Sequence, residues 1–291
     1  MFEKWVCEKF ARFMADDLEL VDTTTEILVP KGAKCEALVI ANEEGVVAGV
    51  EEVATFLKNL GLEVNVKKED GEEVRKGDVV LEIFGDARTL LNVERTILDF
   101  LMFMSGIATT TRKTVEKARK ANERVVVAAT RKTHPGLRLF EKKAVAVGGG
   151  DTHRLSLADM VLIKDNHLKL VGSVGKAVKL ARERASFSKK IEVEVSSLEE
   201  AIEAAESGAD IVMLDNLAPE QIEAIVKELE KRGLRKKVLL EASGGIKLEN
   251  IDRYAKTGVD IISLSQITME AKPLDMKLEV VASTRPPASS A

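Results

Sequence analysis

The sequence predicts an α/β barrel made of about six or seven strand–helix units. From Val125 onwards, short apolar strands alternate with amphipathic helices of about ten to fifteen residues, which is typical of parallel βαβ units. Polar and charged residues follow these strands directly, at the edge where barrels of this kind carry their sites. Because fewer than eight units are found, the predicted barrel is partly open.

The N-terminal part of the chain has a different rhythm. Apolar residues at helical spacing over residues 1–17 predict an amphipathic helix. Two strands, a helix ended by Gly61, and alternating apolar residues around glycine turns follow at 34–41, 45–49, 51–60 and 62–84. A long apolar helix is predicted over 88–111. The pair Ser105-Gly106 predicts a break in it, and we place the domain boundary there.

The barrel elements follow in chain order. The predicted strands are 125–129, 160–163, 191–195, 210–214, 238–242 and 260–264, and the predicted helices are 109–121, 138–149, 171–184, 197–207, 219–231 and 247–256. The tail from Val281 to Ala291 ends in prolines and small residues, and this composition at a terminus predicts disorder.

Bulk properties exclude several classes of protein. The chain has 291 residues, 45% hydrophobic and 32% charged, and a net charge of -4, which argues against nucleic acid as the main partner. No apolar run is long enough for a membrane span or a signal peptide. The two cysteines, Cys7 and Cys35, are predicted to be free thiols in a reducing compartment. We therefore expect a cytoplasmic protein.

Cations and glycines are concentrated between Val125 and His167. This stretch holds all the histidines of the chain, the triple glycine 148–150, and the cations Arg131, Lys132, Arg138, Arg154 and Lys164. Such a composition predicts a site for a multiply charged anion. Alternatives remain for single residues, since Arg131 and Lys132 are equally consistent with solvated loop cations and Lys164 with a structural ion pair. His134 is interpreted as an ordinary loop histidine.

Carboxylates follow two neighbouring strands. Glu192 and Glu194 alternate with apolar residues and so share a face, and a glutamate inside a barrel is costly unless it is paired or binds metal. Asp215 ends the next strand, although an aspartate before Asn216 also suits a turn or helix cap. Together Glu194 and Asp215 predict a magnesium site. The sequence has no histidine and cysteine set for zinc and no P-loop or Rossmann glycine motif.

Small residues follow the last two strands. Ser243, Gly244 and Gly245 come after one strand, and Ser263 and Ser265 belong to the end of the next. Small residues allow backbone N–H groups to approach a phosphate, and barrels often bind phosphate after their last two strands. The alternative is plain turn chemistry.

These motifs together resemble one enzyme family. The segments TRKTHPGLRLFEKKAV, GGGDTHR, VLIKDNHL, IEVEV, IVMLDN and EASGGI occur in the order found in quinolinate phosphoribosyltransferases. ERTILDFLMFMSGIAT, DTTTEILVP and PLDMKLEV extend the resemblance over nearly the whole chain. It implies an N-terminal α/β sandwich domain (residues 1–105 and 271–291) and a partly open barrel (106–270). It also implies a homodimer with shared active sites, or a hexamer of such dimers.

The resemblance also implies a reaction. Quinolinate and phosphoribosyl pyrophosphate would give nicotinate mononucleotide, pyrophosphate and CO2, a step of NAD biosynthesis that uses Mg²⁺. The implied substrate-binding residues are Arg95 of the neighbouring subunit, Arg131, Lys132, His153, Arg154, Lys164, Ser243, Gly244, Gly245, Ser263 and Ser265. The implied catalytic residues are Lys132, Lys164, Glu194 and Asp215, the last two as magnesium ligands.

The chain departs from the family pattern at several positions. Ala129 stands where aspartate is usual, His134 where threonine is usual, and residues 265–270 read SQITME in place of a loop with glycine and histidine. These changes leave two rival hypotheses. One is a phosphoribosyltransferase for nicotinate or another aromatic base, and the other is a non-catalytic phosphate- or nucleotide-binding barrel. The number of cations favours a dicarboxylate, and the paired carboxylates favour an enzyme.

Overall fold

The computed structural model describes residues 2–15, 18 and 21–284. The chain forms two compact units. One unit consists of the described residues of Met1–Thr110 and Ala271–Ala291, and the other is Thr111–Glu270.

The described part of the chain forms helices and strands in the following order. They are α1 (Phe2–Ala15), α2 (Thr23–Leu28), β1 (Lys34–Ala41), β2 (Gly45–Val46), α3 (Val50–Asn59), β3 (Glu63–Val66), β4 (Glu73–Val74), β5 (Val79–Asp86), α4 (Ala87–Ala121), β6 (Val126–Ala129), α5 (Arg138–Val147), β7 (Val161–Ile163), α6 (Asp165–Val171), α7 (Val174–Arg184), β8 (Ile191–Val195), α8 (Leu198–Glu206), β9 (Ile211–Asp215), α9 (Pro219–Lys231), a 3₁₀ turn (Arg235–Lys237), β10 (Leu239–Ser243), α10 (Ile251–Ala255), β11 (Ile261–Leu264), α11 (Gln266–Met269) and β12 (Met276–Thr284).

The first unit is built on a four-stranded antiparallel sheet in the order β12-β1-β5-β3. The predicted amphipathic helix is α1, and it buries Val6 and Phe10. The ring of Phe10 lies 4.7 Å from that of Phe56 in α3 and 4.8 Å from that of Phe100 in α4. These aromatic contacts explain why α1 packs in this unit, since burying such rings is strongly favourable.

The predicted break at Ser105-Gly106 is wrong, because α4 runs through both residues. Ser105 is buried, and its hydroxyl accepts a hydrogen bond from the N–H of Ala48 at 3.0 Å. A Cβ on Gly106 would lie 2.3 Å from the carbonyl oxygen of Lys272. The glycine therefore allows another segment to approach the helix closely, and it does not end the helix.

We expect the substitution Gly106→Ala to destabilise the protein by about 1–3 kcal/mol, because the added methyl group must displace the Lys272 carbonyl. In an unhindered helix the same change stabilises by up to about 1 kcal/mol. The sign of the change in stability therefore shows whether Gly106 is needed for the close contact with Lys272 or only weakens the helix. Urea unfolding monitored by circular dichroism measures it, and an unchanged or higher stability would contradict the close contact.

The predicted disorder of the tail beyond about residue 281 is wrong for residues 281–284, which belong to β12. Their backbone pairs with β1, where Glu36 faces Ala282, Cys35 faces Ser283 and Lys34 faces Thr284. Backbone hydrogen bonds to an existing strand stabilise this segment whatever its side chains are. The remainder of the predicted tail, 285–291, lies outside the described residues.

The second unit has a six-stranded parallel sheet in the order β6-β11-β10-β9-β8-β7. Its first and last strands, β6 and β7, are not paired with each other in this order, so the barrel is partly open as predicted. Strands β8 and β9 are buried almost throughout, which is typical of a sheet covered by helices. The predicted fold class is confirmed.

Two short helices of this unit, α6 and α11, were not predicted. The helix expected from Val171 begins at Val174, because Gly172 ends α6 with φ 112° and the Ser173 side chain caps α7. The second missed helix is α11, directly after β11. Across the described part of the chain, no helix is long and apolar enough to cross a membrane.

Candidate active site

A cavity of ≈ 520 Å³ lies at the carboxyl ends of the barrel strands. All but one of the residues predicted for the site line it: Arg131, Lys132, His153, Arg154, Lys164, Glu194, Asp215, Ser243, Gly244, Gly245, Ser263 and Ser265. Thr130, Leu162, Met213, Asn216, Glu241, Ile246 and Leu264 complete the lining. The parallel register explains this gathering, since the carboxyl ends of parallel strands meet at one edge.

The exception is Arg95. It lies in α4, within the first unit, and it does not line the cavity of the second unit. Its side chain is 61% exposed and forms an ion pair with Asp99 at 3.4 Å. A surface ion pair four residues apart on a helix contributes little to stability, so this contact leaves the guanidinium available for another partner.

Two arginines lie on one side of the cavity, Arg154 buried and Arg131 partly buried. Arg154 is only 9% exposed, and burial, followed by the charge of Arg131, lowers its pKa. The Nε atom of Arg131 is buried and has no hydrogen-bond partner in the part of the chain that the structure describes. A buried cation beside a second cation is costly, and a bound anion offsets this cost. This side of the cavity is therefore suited to a molecule with more than one negative charge.

The two carboxylates predicted to bind magnesium lie on the neighbouring strands β8 and β9. The ammonium of Lys164, which follows β7, forms a close ion pair with Glu194 in β8. Asp215 ends β9, and its Oδ2 accepts a hydrogen bond from the side-chain amide of Asn216 at 2.8 Å. Asn216 has a left-handed backbone with φ 56°, which asparagine tolerates better than most residues. Oxygen ligands and one lysine thus face the same cavity.

The turn after β10 requires glycine. Gly244 has φ 92°, and a Cβ there would lie 2.3 Å from the side-chain oxygen of Asn216 and 2.8 Å from its backbone nitrogen. The hydroxyl of Ser263, at the end of β11, donates to the hydroxyl of Ser243 at 3.1 Å. The turn thus brings small residues and hydroxyl groups to the cavity, and such residues let backbone N–H groups approach a phosphate.

Two of the lining residues, His153 and Glu241, form a cluster with the buried Glu192, and the ligand atoms of the three are all within 4.8 Å of one another. Both glutamates are 0% exposed. His153 Nε2 lies 3.1 Å from Oε2 of Glu241 and 3.4 Å from Oε2 of Glu192. Burial, and then the charge of Glu241, raise the pKa of Glu192 to about 8.

Both ring nitrogens of His153 have partners. Nδ1 accepts a hydrogen bond from the backbone N–H of Arg154 at 2.8 Å, so the ring proton lies on Nε2 and faces the carboxylates. Burial lowers the pKa of His153, but the hydrogen bond and the charge of Glu241, together with the charge of Glu192, outweigh burial and raise it. A direct bond from His153 to a substrate carboxylate would require one of these contacts to break.

The remaining histidines lie at the edge of the site. Nδ1 of His134 lies 2.6 Å from Oε1 of Glu141, so this loop histidine has a specific partner. His167 Nδ1 accepts a hydrogen bond from the backbone N–H of Lys164 at 2.9 Å and so helps to start α6. Neither ring lines the cavity.

The atypical loop 265–270 forms α11 and contacts the cation-bearing loop. Thr268 is buried, and its hydroxyl donates to the carbonyl oxygen of Lys132 at 2.8 Å. Ser265, which replaces the usual glycine, lines the cavity beside Leu264. Met269, which replaces the usual histidine, is exposed.

Sequence reasoning missed Glu241 and the pairing of Glu192. The signal was present in both, since each is a charged residue between apolar neighbours in a short strand. The argument that a glutamate inside a barrel needs a partner was applied to Glu194 and holds equally for these two. Lys142, in α5, was missed because it lies in a charged run that looks solvated.

Comparison with known proteins decides the family. Residues 22–105 match the N-terminal domain of quinolinate phosphoribosyl transferase, and residues 107–279 match its C-terminal domain. The chain belongs to the quinolinate phosphoribosyltransferase family. The family predicted from the motifs is therefore confirmed, and with it the enzyme class: the chain is a decarboxylating phosphoribosyltransferase.

Individual members of the quinolinate phosphoribosyltransferase family agree with this assignment. The probable nicotinate-nucleotide pyrophosphorylase [carboxylating] of Methanothermobacter thermautotrophicus is 50% identical over 91% of this chain and 95% of its own length. The human nicotinate-nucleotide pyrophosphorylase [carboxylating] is 40% identical over 88% of this chain and 85% of its own. The crystal structure of NadC from Streptococcus pyogenes is similar with a TM-score of 0.88 and 38% identity, and the similarity covers 95% of both chains.

Proposed function

We propose that the cavity binds quinolinate and phosphoribosyl pyrophosphate and converts them to nicotinate mononucleotide, pyrophosphate and CO2. The observation that carries this proposal is the pair of neighbouring arginines in the cavity, the buried Arg154 and the partly buried Arg131, which repel each other. Two adjacent carboxylates on one small ring match two neighbouring guanidinium groups that line one cavity. Arginine also suits carboxylate better than lysine does, because its planar donors bind both oxygens.

The pyridine ring of quinolinate is assigned to the side formed by the ends of β6 and β7. Arg131 and Arg154 would bind the two carboxylates, and Lys132 and Lys164 would add positive charge. His153 would act mainly by fixing the backbone of Arg154, since that N–H donates to its ring.

Phosphoribosyl pyrophosphate is assigned to the other side of the cavity. The turn Ser243–Gly245, with Ser263 and Ser265, would bind the 5′-phosphate through N–H and hydroxyl groups. The oxygen donors Glu194 and Asp215 fit Mg²⁺, which prefers one or two carboxylates together with substrate phosphates. When bound there, Mg²⁺ would neutralise the charge of the leaving pyrophosphate.

The proposed reaction needs no covalent bond to the enzyme. The pyridine nitrogen attacks C1 of the ribose as the bond from C1 to pyrophosphate breaks. The ring nitrogen is then cationic, and it stabilises the electron pair that remains on C2 when the C2 carboxylate leaves as CO2. C2 then takes up a proton. Lys164 and Lys132 would stabilise developing negative charge near the ring, and Arg154 would hold the remaining carboxylate.

We also propose that the active protein is a homodimer, or a hexamer of such dimers, in which Arg95 reaches the active site of the neighbouring subunit. The exposure of the Arg95 side chain supports this, because its ion pair with Asp99 lies at the surface and is weak. The cytoplasmic location stays a prediction.

The test is product analysis of the purified protein with phosphoribosyl pyrophosphate and Mg²⁺. Quinolinate and nicotinate are offered in separate reactions, and nucleotide product and CO2 are measured. Nicotinate mononucleotide and CO2 from quinolinate alone are expected. Product from nicotinate but not from quinolinate would contradict the dicarboxylate site, and no product from either would contradict catalysis by this cavity.

A further inference from the structure

Lys142 is a buried lysine outside the cavity. It lies in α5, is 1% exposed, and donates hydrogen bonds from its ammonium to two backbone carbonyls. One is the carbonyl of Ala129, at 3.1 Å, and the other is that of Thr152. Ala129 ends β6 and directly precedes the segment Thr130–Lys132, while Thr152 directly precedes the segment His153-Arg154.

These two segments carry the cations of the proposed quinolinate side. We infer that Lys142 is a positioning residue for quinolinate, which holds the segments 130–132 and 153–154 at the spacing that the two carboxylates require. This inference rests on the proposed function, since it takes the ligand of the two arginines to be a dicarboxylate. Lys142 itself is not among the residues that line the cavity.

The second segment needs such support. His153 has φ 49°, a left-handed conformation that costs of order 1–3 kcal/mol for a residue other than glycine. The segment is paired with β6 through the N–H of Ala129, which donates to the carbonyl of Asp151 at 2.9 Å. That pairing ends at Asp151, one residue before Thr152. The ammonium of Lys142 therefore extends the link between the segments to the point where the cations begin.

Burying a charged ammonium at this position costs free energy. Burial lowers the pKa of Lys142 to about 8; the charge of Asp151 opposes this, those of Arg138 and Arg131 add to it, and that of Glu141 opposes it. A pKa of about 8 leaves most of the lysine charged at neutral pH, and the ammonium then donates hydrogen bonds to both carbonyl oxygens. Above about pH 8 the lysine loses its charge, so the link between the segments weakens.

The experiment compares Lys142→Met with Lys142→Arg and with Lys179→Met, an exposed lysine of α7. Steady-state KM values for quinolinate and for phosphoribosyl pyrophosphate are measured separately at pH 7. In Lys142→Met, KM for quinolinate should rise about tenfold or more, because a misplacement near 1 Å has effects of this size. KM for phosphoribosyl pyrophosphate should change far less. Lys142→Arg should retain more quinolinate affinity than Lys142→Met, and Lys179→Met should match the unaltered enzyme.

An equal rise in both KM values, or none in either, would overturn the inference, because a role in general stability does not distinguish the substrates. Turnover of quinolinate by the unaltered enzyme is the reference in the same assay. Its absence would count against the proposed function, whereas normal KM values in an active Lys142→Met variant count against Lys142 alone.

The pH profile supplies a second measurement, which also serves if Lys142→Met does not fold. In the unaltered enzyme, KM for quinolinate should rise relative to KM for phosphoribosyl pyrophosphate as the pH increases through about 8, where Lys142 loses its proton. If the variant folds, its quinolinate KM should exceed that of the unaltered enzyme most at pH 7 and least at pH 9. Glu192 also has a pKa of about 8, so Lys142→Arg, which keeps its charge over this range, is measured beside the unaltered enzyme and should lack the rise. A constant ratio of the two KM values from pH 7 to pH 9 in the unaltered enzyme, or the same rise in Lys142→Arg, would overturn the inference.

Discussion

Replacing Arg131 with alanine is expected to lower kcat/KM for quinolinate by about 10²- to 10³-fold, mainly through a higher KM. The guanidinium lies near enough to the buried Arg154 to lower its pKa, and its Nε is buried with no hydrogen-bond partner among the described residues. A bound carboxylate would supply that partner. Truncating one member of a buried, hydrogen-bonded charge pair costs about 2–5 kcal/mol, and each 1.4 kcal/mol is a factor of ten.

Arg124→Ala is the matched control. Arg124 is exposed and precedes β6, whereas Arg131 follows it, so the two arginines flank opposite ends of one strand. The same change of charge at Arg124 should leave both Michaelis constants and kcat unaltered. Isothermal titration with quinolinate and steady-state kinetics together separate binding from turnover. An Arg131→Ala enzyme with normal KM and normal kcat would contradict the assignment of this residue to quinolinate.

Arg131→Lys sharpens this test. Lysine keeps the charge but has no planar pair of donors, so it cannot bind both oxygens of one carboxylate. If quinolinate is held by bidentate contact, the lysine variant should resemble alanine more than arginine. If only net charge matters, it should recover most of the affinity.

The strand ends could be located from the sequence because two independent signals coincide there. Apolar runs of four or five residues identify the buried parallel strands, and the charged residues that interrupt them mark where each strand leaves the core. Arg131, Lys164 and Asp215 each follow such a run, and the parallel register brings all three to one cavity. The sheet topology, rather than any single motif, makes this inference possible.

Other features could not be predicted in this way, because the same residues are compatible with two different structures. Gly106 looks like a helix break, yet it permits a close approach by Lys272. Residues 281–284 look like a free tail, yet their backbone pairs with β1. In both cases the deciding partner is far away in the sequence, and local composition carries no information about it.

Buried charge was the hardest feature to predict. Lys142 lies in the run Glu141-Lys142-Lys143, which has the composition of a solvated helix face, yet Glu141 and Lys142 are both buried. The helix period shows which residues share a face but not whether that face meets polar backbone. Here α5 packs beside two strand-end segments whose carbonyl and N–H groups need partners, and charged side chains supply them.

Replacing Asp215 with asparagine is expected to lower kcat by at least about 10²-fold while quinolinate binding is retained. The carboxylate ends β9 in the cavity, and the hydrogen bond that it accepts comes from the neighbouring Asn216. A structural role would therefore survive the change to asparagine, which keeps the size and one hydrogen-bonding oxygen. A metal-binding role would not, since the negative charge is lost, and stabilising a leaving pyrophosphate through a metal ion is worth several kcal/mol.

The measurement combines kcat as a function of Mg²⁺ concentration with titration of quinolinate. For Asp215→Asn, the Mg²⁺ concentration that gives half-maximal rate should rise, and the quinolinate affinity should stay within about twofold of the original. Asp252→Asn is the control, because Asp252 forms a partly exposed ion pair with Lys117 and does not line the cavity. If Asp215→Asn lowered quinolinate affinity and left the Mg²⁺ dependence unchanged, Asp215 would belong to the pyridine side of the cavity. The division of the site into a cationic half and a magnesium half would then be wrong.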